Sequence, residues 1–174
     1  MTASPPNVYL IGPRASGKTS LGRLLAERLG RPFADLDEEF RRTRGESIAA
    51  LVSREGWERF REIERDILAE AGKTPGMVVA TGGGVVLLPE NRKVLAKGLV
   101  IYLQADPARL AERLTADFNP EQRPSLTGLE LFEEIRTTLA EREPLYLAAA
   151  QVVLPDGPLE EMAERAVKAL AMLG

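Results

Sequence analysis

One eight-residue segment constrains the fold of this chain more than any other: Gly12–Thr19, with the sequence G-P-R-A-S-G-K-T. It follows the apolar run Val8–Ile11, which predicts a buried strand, and precedes leucines at helical spacing that end at Gly30. A glycine-rich loop between a strand and a helix turns successive backbone N–H groups inward, and the helix N-terminus adds partial positive charge. This context predicts a phosphate-binding loop. A glycine-rich turn without a ligand is the alternative.

Two side chains of this loop carry the chemistry expected of a nucleoside triphosphate site. Lys18 is expected to reach the β- and γ-phosphates, and the hydroxyl of Thr19 is expected to bind Mg²⁺. The loop by itself does not separate a kinase from a GTPase or an ATPase. The chain has no convincing guanine-reading N-K-x-D segment, and this counts against a GTPase.

Short apolar runs alternate with amphipathic segments along the whole chain. Strands are predicted at 8–11, 33–36, 77–80, 99–103 and 151–154. Helices are predicted up to residue 30, over 38–71 with breaks at Gly45 and Gly56, and over 90–97, 107–114, 129–149 and 158–173. Continuous apolar strands separated by helices are typical of a parallel sheet covered on both faces. We therefore predict one α/β domain over residues 1–174, in three layers.

Composition removes several classes of function. The chain has no cysteine and no histidine, so thiolate nucleophiles, Cys-based zinc sites and Ser-His-Asp catalysis are excluded. Acid–base chemistry must come from Asp, Glu, Lys or Tyr. A net charge of −3 and 5% aromatic residues argue against nucleic-acid binding. No apolar run is long enough to span a membrane, and residues 1–7 do not resemble a signal peptide, so we expect a cytoplasmic protein. We also expect a monomer.

The second predicted strand ends in two acidic residues, Asp35 and Asp37. The carboxyl ends of strands in an open α/β sheet face the ligand crevice. Alternation along an extended segment would point both carboxylates to the same side, where one can serve the metal and the other a substrate hydroxyl. In the alternative interpretation Asp37 caps the following helix.

Four further motifs are weak when each is taken alone. Phe60–Glu64 (F-R-E-I-E) fits a solvated helix face, Gly82–Gly84 fits a flexible turn, and Arg123 with Pro124 can be incidental. Arg142–Tyr146 (R-E-P-L-Y) fits a plain helical segment. Together with the phosphate loop and the D-x-D pair, however, their order and spacing resemble the shikimate kinases from residue 8 to residue 173. The lid region at 115–128 looks like the longer form found in that family.

The resemblance implies the fold of the nucleoside-monophosphate kinases, with sheet order 2-3-1-4-5. It implies transfer of the γ-phosphoryl group of ATP to the 3-hydroxyl of shikimate, a step of aromatic amino-acid synthesis. Asp37 resembles the base that binds the acceptor hydroxyl, and Asp35 resembles the residue that holds Mg²⁺ through water. Arg61 and Arg142 resemble the pair that binds the shikimate carboxylate, beside the backbone strip Gly82, Gly83 and Gly84, and segment 38–72 resembles the acceptor-binding region.

On the nucleotide side, Arg123 resembles the lid arginine that moves onto the phosphates and, with Lys18 and Asp37, completes the expected catalytic set. Arg113 resembles the arginine that stacks on adenine, with Pro158 on the other side. The resemblance implies nucleotide contacts from Gly12, Arg14, Ala15, Ser16, Gly17, Lys18, Thr19, Ser20, Arg113, Arg123 and Pro158.

Two other functions stay open at this point. One is a related small-molecule kinase of the gluconate or nucleoside-monophosphate type, which the three glycines and two arginines disfavour. The other is a non-catalytic, ligand-sensing domain on the same scaffold. The presence of Lys18, Asp35 and Asp37 disfavours this second alternative.

Overall fold

The computed structural model describes residues 3–116 and 131–174. Its centre is a five-stranded sheet in the order β2-β3-β1-β4-β5, with every pairing parallel. The strands are β1 (Val8–Ile11), β2 (Phe33–Asp35), β3 (Val78–Ala80), β4 (Leu99–Gln104) and β5 (Val152–Pro155). The parallel sheet and its order are thus confirmed.

Seven α-helices lie within the described residues. They are α1 (Lys18–Leu29), α2 (Leu36–Arg44), α3 (Ile48–Ala71), α4 (Pro89–Leu95), α5 (Pro107–Ala116), α6 (Leu131–Ala149) and α7 (Leu159–Leu173). A short 3-10 turn, Val85–Leu87, follows the three glycines and was not predicted from the sequence. None of the helices over residues 3–116 and 131–174 is both long and apolar enough to cross a membrane.

The sheet is apolar on both faces because helices cover both. Val8 and Leu10 of β1 pack in a cluster with side chains from α1 and α7. Tyr9 and Ile11, which alternate with them, pack in a second cluster with side chains from α3, α4, α5 and α6. This arrangement explains why the central strand is a continuous apolar run rather than an alternating one.

Helices α2 and α3 also pack against each other around a small core of their own, which includes Phe40 and Phe60. The two breaks predicted from glycine are confirmed: Gly45 ends α2 at φ 68°, and Gly56 interrupts α3 at φ 85°. The backbone N–H of Ala50 donates to the side chain of Ser47 at the start of α3, 3.1 Å away. These two helices make up most of the predicted acceptor-binding segment, and α2 begins directly after the edge strand β2.

Candidate active site

A cleft of about 670 Å³ lies at the carboxyl ends of the central strands, where ligands bind in open α/β sheets. Its volume falls within the range of small-molecule binding sites. The lining residues include the phosphate loop, the D-x-D pair and the start of α7: Arg14, Ala15, Ser16, Gly17, Lys18, Thr19, Ser20, Asp35, Asp37, Thr81, Arg113, Leu114, Leu131, Asp156, Gly157, Leu159 and Met162.

The backbone of the phosphate loop has the curled conformation that the sequence predicts. Ala15 and Gly17 both have positive φ, at 64° and 96°, and turns of this kind direct N–H groups towards a common point. Gly12 is required, because a Cβ there would lie 2.7 Å from the carbonyl oxygen of Leu103. The buried Oγ of Ser16 has no hydrogen-bond partner among the described residues, so it is able to donate to a ligand oxygen.

Lys18 is buried, and its ammonium group stays at the loop. Its Nζ donates to the backbone carbonyls of Gly12 and Pro13, each at 2.7 Å. The loop thereby holds the cation next to the place where its own N–H groups converge. Arg14, another residue expected at the nucleotide, lies 4.0 Å from the carboxylate of Glu134 on α6.

Asp35 and Thr19 form a pair of oxygen donors in the cleft. The hydroxyl of Thr19 donates to Oδ2 of Asp35 at 2.5 Å. The other carboxylate oxygen of Asp35 accepts from the backbone N–H groups of Asp37 and Glu38, at 2.9 and 3.2 Å. Hydroxyl and carboxylate oxygens are ligands that Mg²⁺ accepts alongside nucleotide phosphates, so these two residues fit a metal-binding role.

Asp35 is the helix cap, and this corrects two sequence expectations about Asp37. Strand β2 ends at Asp35, so Asp37 lies in the first turn of α2 and strand alternation does not apply to it. The alternative interpretation, a cap at Asp37, is also wrong, because the Asp35 carboxylate accepts from backbone N–H groups in the first turn of α2. Asp37 faces the cleft instead: its Oδ1 lies 3.3 Å from the position of a Cβ on Gly82.

Side chains predicted to bind the acceptor meet the phosphate loop at the three glycines after β3. A Cβ on Gly84 would lie 2.3 Å from the guanidinium of Arg61, and a Cβ on Gly82 would lie 2.6 Å from the carboxylate of Glu64. A Cβ on Gly83 would lie 3.3 Å from the backbone nitrogen of Arg14 and 3.6 Å from Nη1 of Arg142. Gly84 and Gly82 therefore make room for Arg61 and Glu64, and Gly83 lies between Arg142 and the phosphate loop.

Arg61 is held in place from three sides. Its Nη1 donates to Glu64 at 2.7 Å, and its guanidinium lies over the rings of Trp57 and Phe60, at 5.4 and 5.2 Å from their centroids. Burial raises the pKa of Glu64, and the neighbouring Arg61 acts in the opposite direction. Glu64 is not among the site residues predicted from the sequence, although its i,i+3 spacing from Arg61 on a helix is a signal of their pairing.

Arg142 reaches the same place from α6. Burial lowers the pKa of Arg142, and the positive charge of Arg61 lowers it further, whereas Tyr146 and Glu64 raise it. Two guanidinium groups that repel each other in a partly buried site are suited to bind an anion between them. A carboxylate is one such anion, because a guanidinium can donate two parallel hydrogen bonds to it.

Arg113, the residue expected at adenine, lines the cleft and is held by two other elements. Its Nη2 donates to both carboxylate oxygens of Asp156, at 2.7 and 2.8 Å, and its Nη1 donates to the carbonyl of Ala15 at 3.1 Å. Sequence reasoning did not identify Asp156. Gly157 and Leu159 line the cleft, and Pro158 is not among the lining residues, so its contact with adenine stays a prediction. Arg123, together with most of the expected lid at 115–128, falls outside the described residues.

Comparison with known proteins agrees with this geometry. The shikimate kinase family profile matches residues 14–171. A shikimate kinase of Nitratidesulfovibrio vulgaris is 45% identical over 94% of this chain and 95% of its own length. One from Oleidesulfovibrio alaskensis is 47% identical over 96% and 98%.

Among solved structures, a shikimate kinase from Acinetobacter baumannii in complex with shikimate is 33% identical, with a TM-score of 0.90. The match covers 97% of this chain and 94% of that one. The profile spans most of the chain, and the relatives match it nearly end to end at high identity. The chain therefore belongs to the shikimate kinase family.

Proposed function

We propose that this protein transfers the γ-phosphoryl group of ATP to the 3-hydroxyl of shikimate and releases ADP and shikimate 3-phosphate. The observation that carries the proposal is the convergence of Asp37, Arg61 and Arg142 on the three glycines beside the phosphate loop. Family membership and the shikimate-bound neighbour support the same acceptor.

The phosphate loop is proposed to bind the triphosphate. Its backbone N–H groups and Lys18 would hold the β- and γ-phosphates, with the hydroxyl of Ser16 as a further donor. Thr19 and Asp35 would hold Mg²⁺, Asp35 through water. When bound, Mg²⁺ neutralises charge on the phosphate oxygens. Arg113, fixed by Asp156, would contact the base.

Arg61 and Arg142 are proposed to bind the shikimate carboxylate and so fix the orientation of its ring. Asp37 would accept a hydrogen bond from the 3-hydroxyl and take its proton as the hydroxyl oxygen bonds to the γ-phosphorus. The bond from that phosphorus to the bridging oxygen of ADP breaks in the same displacement. Positioning and charge stabilisation supply most of the rate enhancement in such reactions, which suits a chain without histidine.

Arg123 is proposed to reach the phosphates only once substrate is bound. It lies in segment 115–128, which in the family covers the site, and closure of a lid would exclude water and add a positive charge at the phosphates. Without such closure, ATP would be open to hydrolysis. The cytoplasmic location and the monomeric state expected from the sequence stay predictions.

A coupled ADP-release assay tests the proposed function. Release should depend on shikimate, and ³¹P NMR should detect shikimate 3-phosphate. Gluconate and a nucleoside monophosphate should not replace shikimate. Shikimate-independent ADP release, or faster turnover with either of those acceptors, would assign the chain to another kinase activity. Shikimate binding without turnover would favour the ligand-sensing alternative.

A further inference from the structure

Tyr146 lies one helical turn after Arg142 on α6, and the reaction described above does not use it. Its side chain is fully buried, and its hydroxyl donates to the backbone carbonyl of Gly83. Residues four apart on a helix are neighbours on the same face, and the hydroxyl of Tyr146 also interacts with Arg142. The hydroxyl thus contacts the glycine strip and lies beside Arg142, one of the two arginines proposed to bind the carboxylate.

The bond to Gly83 fixes the orientation of a peptide group in the acceptor site. The carbonyl of Gly83 and the N–H of Gly84 belong to the same planar peptide, and no peptide bond in the described residues is cis. The two groups therefore point in opposite directions. Three successive glycines allow many backbone conformations. Anchoring the Gly83 carbonyl on one side therefore determines where the Gly84 N–H points on the other.

The hydroxyl of Tyr146 remains a donor at physiological pH. Burial raises its pKa to about 12, although the nearby charges of Arg142 and Arg61 act in the opposite direction. A neutral phenol donates its proton to the Gly83 carbonyl and can orient a lone pair towards the Arg142 guanidinium. Both contacts are therefore compatible with a single protonation state.

We propose that Tyr146 is a positioning residue of the acceptor site: its hydroxyl holds the Gly83–Gly84 peptide and the Arg142 guanidinium in the relative arrangement that binds the substrate carboxylic acid. The proposal rests on the proposed function, since it assigns the residue to that same acceptor site. Tyr146 does not touch the reacting atoms. Its effect is expected in the affinity for shikimate, more than in the chemical step.

Tyr102 provides a matched control within the same buried cluster. It is also fully buried, and its ring stacks on that of Tyr146 with centroids 5.0 Å apart. Its hydroxyl donates to Glu143 at 2.9 Å, and Gln104 donates to the same carboxylate oxygen at 3.2 Å. Tyr102→Phe therefore removes one buried hydroxyl from the same pair of rings, and Glu143 keeps a donor.

The experiment compares Tyr146→Phe and Tyr102→Phe with the unaltered protein, using isothermal titration with shikimate and with ATP, steady-state kinetics and chemical unfolding. Tyr146→Phe should raise the Kd and KM for shikimate about tenfold, the loss expected for one buried hydrogen bond left unmade. Its KM for ATP should stay within about twofold, and its kcat should fall less than its shikimate affinity. Tyr102→Phe should lose stability and keep its shikimate Kd within about twofold.

Unchanged shikimate affinity in Tyr146→Phe, or equal losses of shikimate affinity in both variants, would overturn the inference. In the second case the hydroxyl would serve only the stability of the cluster. If the unaltered protein bound no shikimate, the proposed function would fail first. If Tyr146→Phe were too unstable to titrate, saturating ADP would be added to stabilise the folded state by mass action.

Discussion

The substitution Gly84→Ala should weaken shikimate binding and leave the fold intact. Gly84 has φ −98° and ψ 11°, a conformation that is allowed for alanine. The added methyl group, however, would lie 2.3 Å from Nη2 of Arg61 and 2.4 Å from its Cζ and Nη1. The most favourable separation between non-bonded carbon atoms is about 3.5–4.0 Å. The guanidinium lies at the end of a flexible side chain, and it must therefore move away by about 1 Å or more.

The expected loss follows from what Arg61 does. A hydrogen bond to a charged group contributes about 1.5–3 kcal/mol, which corresponds to a rise in the Kd for shikimate of roughly 10- to 150-fold. The displaced guanidinium would also strain its bond to Glu64, which is 2.7 Å long. The Kd for ATP should be almost unchanged, because Gly84 and Arg61 do not line the nucleotide cleft.

Isothermal titration with shikimate gives the affinity, and a double-mutant cycle with Arg61→Ala provides the control. Once the guanidinium is gone, the methyl group at position 84 has nothing to displace, so Gly84→Ala should have little further effect. The reasoning would be refuted if Gly84→Ala left the shikimate Kd unchanged. It would also be refuted if the loss were the same in the Arg61→Ala background, because the methyl group would then act on something other than Arg61.

Three further substitutions, one of them with a control variant, test other parts of the site. Lys18→Ala should lower turnover in steady-state kinetics by more than about tenfold, which corresponds to a barrier increase above about 1.4 kcal/mol. A smaller loss would contradict the role of Lys18 at the phosphates. Asp37→Asn should lower turnover by about 100-fold or more. Glu39→Gln, which removes a charge from the same first helical turn, should have little effect on turnover, and similar losses in both variants would point to helix electrostatics instead. Asp156→Ala removes the carboxylate that holds Arg113. In initial-rate measurements it should raise the KM for ATP and leave the KM for shikimate unchanged. The reverse pattern would place Asp156 at the acceptor site.

The sequence alone was enough to predict those features whose cause lies within a few neighbouring residues. The phosphate loop, the continuous apolar strands and the stops at Gly30 and Gly45 are all visible in the sequence and present in the structure. Each depends on residues within a few positions: a glycine that adopts positive φ, or an apolar run long enough for one strand. The order of the strands is a non-local property, and it came from the resemblance to a family rather than from periodicity.

Only the tertiary structure decided which side chains work together. The cap of α2 is Asp35 rather than Asp37, because strand β2 ends at Asp35 and the helix begins at the next residue. Sequence reasoning had no means of pairing Asp156 with Arg113 or Tyr146 with Gly83, because these partners are brought together by the packing of separate elements. Spacing along a chain identifies candidate residues. The atoms that fix their orientation can be far away in sequence, and only the folded chain brings them into contact.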